Sequence, residues 1–591
     1  MSVIATAHGE DQVRRTARIR TRIVLAVMIF WAVAIVVRLV HLQIFTRQEA
    51  RDLIATQNEA KIDIIPNRGT IRDRHGMILA QMVSMRSVQY LFSEDMPPAS
   101  RQETIRRLAP ILDLDAKKIA GLRDDLAKKK GFIWIKRKID PETAARVEAL
   151  KIPGIDVVEE PLRLYPQGSL ASHVLGFVNT DNVGLGGMEY RNNEILQGKK
   201  GQRIIFRDTF KRTYRSEQTL APESGRDIDL TIDAVIQFLA QREIEKSVAE
   251  NAAAWGAVVV SDPATGEILA MASAPAYDPN AYNQSDPQAR FERTFQGRID
   301  PGSTFKIVTL SAALENRKVA TYDTFDCSAK AIDVAGGPIR DHKAFGVLSV
   351  SGIIAESSNI GTIQIGRRVG PELLYRTMKD FGFGDLTGIE LPAESAGVVR
   401  PPDKWSRRSI DSISVGYEVS VTPLQILQAG NIIANRGVRV PLRIIKSIDG
   451  RPGIPAANAA PPARVISAQT AEKVVDILER VILEGTGTAA AVPGFAAAGK
   501  TGTSQIFDPV EKKYSLSHHT ASFVGFVPSD RPVLSIVVVL YDPRNNAYYG
   551  GQVAAPVFRE IAVRALRYLG VAPSLKEGTI PVEAESERRE R

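Results

Sequence analysis

An uninterrupted apolar run near the N-terminus, Ile23 to Val37, constrains this chain more than any other feature. Its residues, IVLAVMIFWAVAIVV, carry no charge. As a helix the run spans about 22 Å, and extension through Arg38-Leu39-Val40-His41-Leu42 brings it to the roughly 30 Å of a bilayer's hydrocarbon core. Arg38 and His41 then fall at one interface, where arginine snorkels at modest cost. Arg14, Arg15, Arg18, Arg20 and Arg22 precede the run, against only Glu10 and Asp11. That basic excess holds the N-terminus in the cytoplasm and puts the rest of the chain outside. A cleaved signal peptide is the rival reading, but Arg38 to Phe45 offers no small-x-small cleavage site. The sequence therefore predicts a cytoplasmic tail at 1–22 and an uncleaved single-pass anchor at 23–42.

A chain of 591 residues is too long for one ordinary core. Its 44% apolar and 24% charged residues are ordinary for globular protein. The net charge of +9 is spread along the chain, with no zinc-finger spacing and no basic helix beside a heptad. It suits a surface near anionic lipid or wall polymer better than nucleic acid. Cys327 stands alone, which excludes an intrachain disulfide and a cysteine-rich metal site. The seven histidines form no HExxH string, so no metal and no cofactor are assigned.

Beyond the anchor, Gln43 to Glu59 has the pattern of a juxtamembrane helix, and Lys61 to Ile65 alternates like a strand. Short strands are predicted at Thr70 to Arg72 and Met77 to Ala80, around the turn Asp73-Arg74-His75-Gly76, and another at Met85 to Phe92. Helices follow at Arg101 to Ile111, Asp115 to Lys130 and Pro141 to Leu150. This is a non-catalytic α+β region. The pattern changes near Gly225. A strand at Asp227 to Ile232, a helix over Asp233 to Glu250 and a hairpin of Ala257 to Asp262 with Ile268 to Ala272 come next. Strands at His519 to Val527 and Val533 to Tyr541 and a closing helix at Val553 to Leu569 complete an α/β sandwich, the late strands pairing beside the early hairpin. Asp449 to Pro462 reads as a loop, and the chain from Val571 as a frayed tail.

Three short strings carry the chemistry: Ser303-Thr304-Phe305-Lys306, Ser357-Ser358-Asn359 and Lys500-Thr501-Gly502-Thr503. Each alone has an ordinary structural reading, as a helix cap, a helix-to-turn cap or a hairpin turn. Their order and wide spacing argue for one site. Ser303 and Lys306 are three apart on a predicted helix and so share a side. A serine hydroxyl attacks only when a neighbour takes its proton, and Lys306 can do so only as a neutral amine, which requires burial or nearby positive charge such as Lys500. Ser357 can relay a proton towards a leaving amine, and Asn359 can donate to a substrate carbonyl while accepting from Lys306. On a strand edge, Gly502 lets a peptide approach the backbone. Lys500, Thr501 and Thr503 suit a terminal carboxylate, and the backbone N–H groups of Ser303 and Thr503 an oxyanion hole.

The wider pattern resembles the class B penicillin-binding proteins. Arg68 to Gly76, Arg163-Leu164-Tyr165-Pro166 with His173-Val174-Leu175-Gly176, and Gly187-Met188-Glu189 look like the family's pedestal motifs. Pro301 to Lys306, Ser357 to Asn359, Thr422-Pro423-Leu424-Gln425, Gly485-Thr486-Gly487, Lys500 to Thr503 and Tyr549-Gly550-Gly551 with Ala555-Pro556-Val557-Phe558 fall in family order. Ser357 to Gly361 and Ser414 to Val419 look more like the division-specific branch, the FtsI or PBP3 type. Asp300 stands where the family more often has glutamate, and Glu418 where many relatives have a small or amide residue. The resemblance implies a pedestal at 43–225, a transpeptidase domain at 226–570 with an antiparallel sheet flanked by helices, and a flexible tail at 571–591. It implies a D,D-transpeptidase of the cytoplasmic (inner) membrane, acting outside it on peptidoglycan stem peptides in septal wall synthesis. Its inhibitors would be β-lactams, and its partners an FtsW-like, SEDS-type glycosyltransferase and other division proteins. A D,D-carboxypeptidase or β-lactamase of the same superfamily, a β-lactam sensor and a catalytically inert scaffold are the alternatives.

Overall fold

The computed structural model describes residues 4–45, 59–91, 98–127, 132–207, 213–453, 461–545 and 547–573. These fall into two compact units, one drawn from Met1–Pro66 and Lys199–Glu223, the other from Asn67–Gly198 and Ser224–Arg591.

In the first unit, helix α1 (Ile4–Val40) runs into a π-helical turn at His41–Phe45. Its most apolar window, within Arg15–Ile44, has a mean hydropathy of 2.8, and none of it is buried by protein. Phe30 and Trp31 are 72% and 64% exposed, a surface that lipid rather than water must cover. This is the single membrane-spanning helix among the described residues, and the bulk of the chain is a soluble extracytoplasmic part. The helix starts well before the apolar run, because the arginines that orient it are also good helix formers. Residues 46–58, most of the predicted juxtamembrane helix, lie outside the described residues; Glu59 already belongs to a strand, Glu59–Ile64. That strand pairs antiparallel with Gly201–Arg207, which pairs with Thr213–Leu220.

In the second unit one long strand, Ile78–Leu91, stands where the sequence pattern predicts two. Gln81–Ser84, between the two predicted strands, stays extended because Leu164–Pro161 of the neighbouring strand Ile155–Leu164 take its backbone pairing. Helices Pro98–Leu108, Ala116–Ala127 and Pro141–Ala149 match the three predicted ones and close a core of Val88, Tyr90, Leu108, Leu122, Ile135 and Val147. Ile71–Arg72 pairs in parallel with Ile228–Leu230, which pairs with Ile445–Ile448. One sheet therefore runs through positions 71, 228 and 445, across the change in pattern near Gly225.

The resembling motifs of this region form its polar core. Glu189 is fully buried between Arg68 Nε at 2.5 Å and Arg163 Nε at 2.6 Å. Arg68 also donates to Asn193 Oδ1 and the Glu189 carbonyl, and Arg163 to the Gly69 carbonyl. Asp73 accepts from the N–H groups of His75, Met77 and Ala234.

Five antiparallel strands build the sheet beside which the motifs gather: β1 (Trp255–Ser261), β2 (Ile268–Ala274), β3 (Ala498–Asp508), β4 (Lys513–Val527) and β5 (Leu534–Tyr541), in the order β2-β1-β5-β4-β3. The predicted pairing of late strand with early hairpin is β5 on β1. Alternate side chains serve opposite faces. Val258, Val260, Ile536 and Val538 pack with Ile236, Ile244, Phe558 and Ile561 of helices α2 (Ala234–Glu250) and Ala555–Tyr568. Val259, Val537 and Val539 join Leu424, Leu427 and Val474 of helices Pro423–Ala434 and Ala468–Leu483. Asp233 caps α2 by accepting from the N–H groups of Val235 and Ile236. In the predicted loop at 449–462, Arg451–Pro452 pairs with Ser447–Ile448, and 454–460 lie outside the described residues.

Candidate active site

Ser303 lies in a 3₁₀ turn, Gly302–Phe305, that leads into helix α3 (Lys306–Glu315), rather than in the plain helix its spacing predicts. The turn is set by Gly302, at φ +54°, whose N–H donates to the Gly416 carbonyl at 3.0 Å. A Cβ at Gly302 would stand 2.9 Å from the Thr503 carbonyl oxygen, so this turn rests directly on β3. Among the described residues β3 is an edge strand, paired only with β4, with Lys500 opposite Val524 and Thr503 opposite Ala521.

Gly502 has a use the sequence pattern does not reveal. A Cβ there would stand 2.2 Å from Ser522 Oγ and 3.0 Å from the Pro301 carbonyl oxygen. The glycine lets the turn bearing Ser303 sit against the strand. Thr501 Oγ1 lies 2.8 Å from Thr486 Oγ1, and Thr503 Oγ1 accepts from the Gly550 N–H at 3.0 Å. These bonds fix both threonine rotamers.

Ser357 is held between helix Val350–Ala355 and helix α4 (Asn359–Val369) at φ +59°, a left-handed conformation costly for serine. Its hydroxyl bridges the two lysines. Lys500 Nζ donates to Ser357 Oγ at 3.0 Å, and Lys306 Nζ stands 3.4 Å from the same oxygen. Lys306 also donates to the Ser357 carbonyl at 2.7 Å and to Asn359 Oδ1 at 2.8 Å. None of the Lys306 hydrogen bonds reaches the Ser303 hydroxyl among the described residues. The structure thus brings Lys306, Ser357, Asn359 and Lys500 into one connected network, with Ser303 on the adjoining turn.

Both lysines are fully buried. Burial brings the Lys306 ammonium down to about 7, against the opposing pull of the Asp341 carboxylate. Burial, with the charge of Lys306 added to it, pushes Lys500 well below the usual lysine range. Two such groups around one hydroxyl supply what serine activation needs, a neutral amine at near-neutral pH.

Asp341 is a supporting residue that sequence reasoning misses. It accepts from Ser358 Oγ at 2.6 Å and from the Asn359 N–H, pinning the strained turn. Nothing in Ile339-Arg340-Asp341-His342 marks it out, because its partners are brought to it only by folding. Asp300, noted for its departure from glutamate, accepts from Tyr514 Oη of β4 at 2.8 Å, and burial raises its carboxyl to about 6. Glu418, at φ +60°, pairs with Arg400 at 2.5 Å and accepts from Ser409 Oγ at 2.7 Å.

An antiparallel sheet covered by helices, a serine-bearing turn laid on its edge strand and buried lysines meeting at a second serine are the architecture of a serine acyl-transfer enzyme of the penicillin-binding class. Residues 256–562 match the penicillin binding protein transpeptidase domain, and residues 63–230 the penicillin-binding protein dimerisation domain. The chain is 33% identical to the probable peptidoglycan D,D-transpeptidase PenA of Neisseria gonorrhoeae, over 96% of each. It is 32% identical to the peptidoglycan D,D-transpeptidase FtsI of Escherichia coli, over 86% of this chain and 84% of that one. Penicillin binding protein 3 of Mycobacterium tuberculosis, solved with ampicillin, shares 29% identity with a TM-score of 0.68, over 88% of this chain and 98% of that one. The chain belongs to the class B penicillin-binding proteins, within the peptidoglycan D,D-transpeptidase superfamily, which acts through a serine mechanism.

Proposed function

We propose that this protein cross-links peptidoglycan stem peptides at the septum through an acyl-enzyme on Ser303. The observation that carries the reading is the Ser357 hydroxyl joining two buried lysines beside the serine turn. Lys306, as the neutral amine, takes the Ser303 proton while Oγ attacks the carbonyl of the penultimate D-alanine. The tetrahedral oxyanion is received by the backbone N–H groups of Ser303 and Thr503. Ser357, between Lys306 and Lys500, passes a proton to the departing D-alanine amine. Asn359 positions Lys306 and the substrate amide, and Thr501, Gly502 and Thr503 line the strand edge along which the donor stem lies. An acceptor amine from a neighbouring stem then resolves the ester, forming the cross-link and freeing Ser303. In this reading 1–22 is the cytoplasmic tail, 23–42 the anchor, 43–225 the pedestal, 226–570 the catalytic domain and 571–591 a tail. The single span and the pedestal would tether the enzyme to a SEDS-type, FtsW-like polymerase, raising the local concentration of donor stems.

The test is a product analysis. Full-length protein incubated with uncross-linked, pentapeptide-bearing strands should yield cross-linked muropeptide dimers, with one D-alanine released per bond formed. Tetrapeptide monomers without dimers would establish a carboxypeptidase instead.

The lysine chemistry sets a pH dependence. A base working near pH 7 is protonated below that value, so acylation should rise about tenfold per pH unit below pH 7 and level off above it. Lys306→Arg keeps a permanent positive charge, and acylation should fall roughly 10²-fold or more and lose that limb. Stopped-flow acylation by a chromogenic cephalosporin across pH 5–9 reads both. A normal rate in the arginine variant would remove Lys306 as the base.

A further inference from the structure

Helix α1 runs without a break from Ile4 to Val40, so the basic segment and the membrane span form one continuous helix. Arg15, Arg18, Arg20 and Arg22 are all exposed along it. At about 100° per residue, Arg15, Arg18 and Arg22 fall within an arc of about 60°, and Arg20 stands on the opposite side. At about 1.5 Å per residue, Arg18 lies about 6 Å and Arg15 about 10 Å below Arg22, which itself adjoins the first residue of the apolar run. The headgroup layer on each side of a bilayer is roughly 5–8 Å deep, so this ladder of arginines crosses the level of the lipid phosphates. Among the described residues none of the four arginine side chains has an ion pair or hydrogen bond. No aspartate or glutamate stands between Asp11 and Glu49 to neutralise them.

Orienting the anchor requires only an excess of positive charge on the cytoplasmic side. It does not require three of the arginines in register on one side of the helix. That side continues above them as hydrocarbon. Ala26, Ile29 and Val33 follow within about 40° of Arg22 around the axis, and all three are exposed. Fixed guanidiniums at phosphate depth, with open apolar surface directly above, match the two parts of an acidic phospholipid. The guanidinium fork pairs with phosphate oxygens, and an acyl chain covers the apolar residues. A free phosphate ion would use the lower half of this seam and leave the upper half unexplained.

We propose that Arg15, Arg18 and Arg22 hold the phosphate of an acidic phospholipid in the cytoplasmic leaflet, with its acyl chain along Ala26, Ile29 and Val33. The inference is independent of the catalytic reading and does not involve Ser303. The full-length protein would be reconstituted into vesicles of equal parts phosphatidylglycerol and phosphatidylcholine, with p-benzoyl-phenylalanine in place of Ile29 on the arginine side or of Trp31 on the opposite side. After illumination, mass spectrometry counts which lipid is joined to the chain. At position 29 phosphatidylglycerol should be captured about fivefold or more over phosphatidylcholine, and at position 31 with less than half that preference. The double variant Arg18→Gln, Arg22→Gln should bring the preference at position 29 close to one. Arg20→Gln should leave it within twofold of the unsubstituted protein, whereas Arg18→Gln alone should lower it. The comparison of positions 29 and 31 needs no arginine substitution, so it decides the matter even if the double variant inserts wrongly. No preference at position 29, the same preference at both positions, or equal losses in Arg18→Gln and Arg20→Gln would overturn the proposal, the last two by showing diffuse attraction to the whole segment. Loss of the preference in inorganic phosphate, but not in sodium chloride of the same ionic strength, would assign the arginines to a free anion and overturn the lipid assignment.

Discussion

Ser303→Ala should fold normally and form no covalent adduct with any β-lactam. Intact-mass measurement of the wild-type protein after exposure to penicillin should show one adduct, which peptide mapping places on Ser303, and the variant should show none. Cross-linking by the variant should fall by roughly 10⁴- to 10⁶-fold, the scale on which removing a serine nucleophile acts. Stability should scarcely change. Ser303 is only partly buried, and its hydroxyl has no hydrogen bond among the described residues, so its loss leaves neither cavity nor orphaned partner. A melting temperature within a degree or two of wild type, together with no adduct, separates lost chemistry from lost fold. An adduct on another residue would refute the assignment of the nucleophile.

The largest effect on stability should come from Glu189→Ala. This carboxylate is the single anion between two guanidiniums, Arg68 at 2.5 Å and Arg163 at 2.6 Å, with all three side chains at most 2% exposed. Burial already lowers the Arg68 guanidinium, against the opposing pull of Glu189. Among the described residues Arg163 Nη2 is buried without a partner even in the intact network. Removing the carboxylate strands two buried positive charges, which costs about 3–5 kcal/mol. Melting of the full-length protein should fall by roughly 10 °C. At a temperature where the variant is still folded, penicillin should acylate it at the normal rate, because none of Glu189's bonds touches Ser303, Lys306, Ser357, Asn359 or Lys500. An unchanged melting temperature would mean that water reaches these arginines, and the network would then be peripheral to stability. A slowed acylation rate with unchanged melting would instead assign Glu189 to the chemistry.

The membrane anchor, the order of the chemical motifs and most of the secondary structure can be read along the chain, because these are local properties. Fifteen apolar residues behind five arginines specify a span and its direction whatever follows them. The short apolar runs Ala257–Asp262 and Ile268–Ala272 either side of Pro263-Ala264-Thr265-Gly266, and the cap at Asp233, specify a hairpin and a helix start with no distant partner. Motif chemistry is local too, so Ser303, Lys306, Ser357, Asn359 and Lys500 could all be named as candidates from the sequence, and folding brings Lys306, Ser357, Asn359 and Lys500 into one network. Tertiary structure decided what depends on neighbours far along the chain. Gln81–Ser84 stays extended because Pro161–Leu164 pairs with it, which no window around residue 80 contains. Gly502 is needed by the turn at Pro301 and by Ser522, so its reason lies some two hundred residues upstream as well as across the hairpin. Asp341 is unremarkable until it meets Ser358 and Asn359. The reactivity of Lys306 is also tertiary. Spacing puts it near Ser303, but only complete burial beneath Ser357 and Asn359 strips its ammonium of water and brings it to about 7, where it can act as a base.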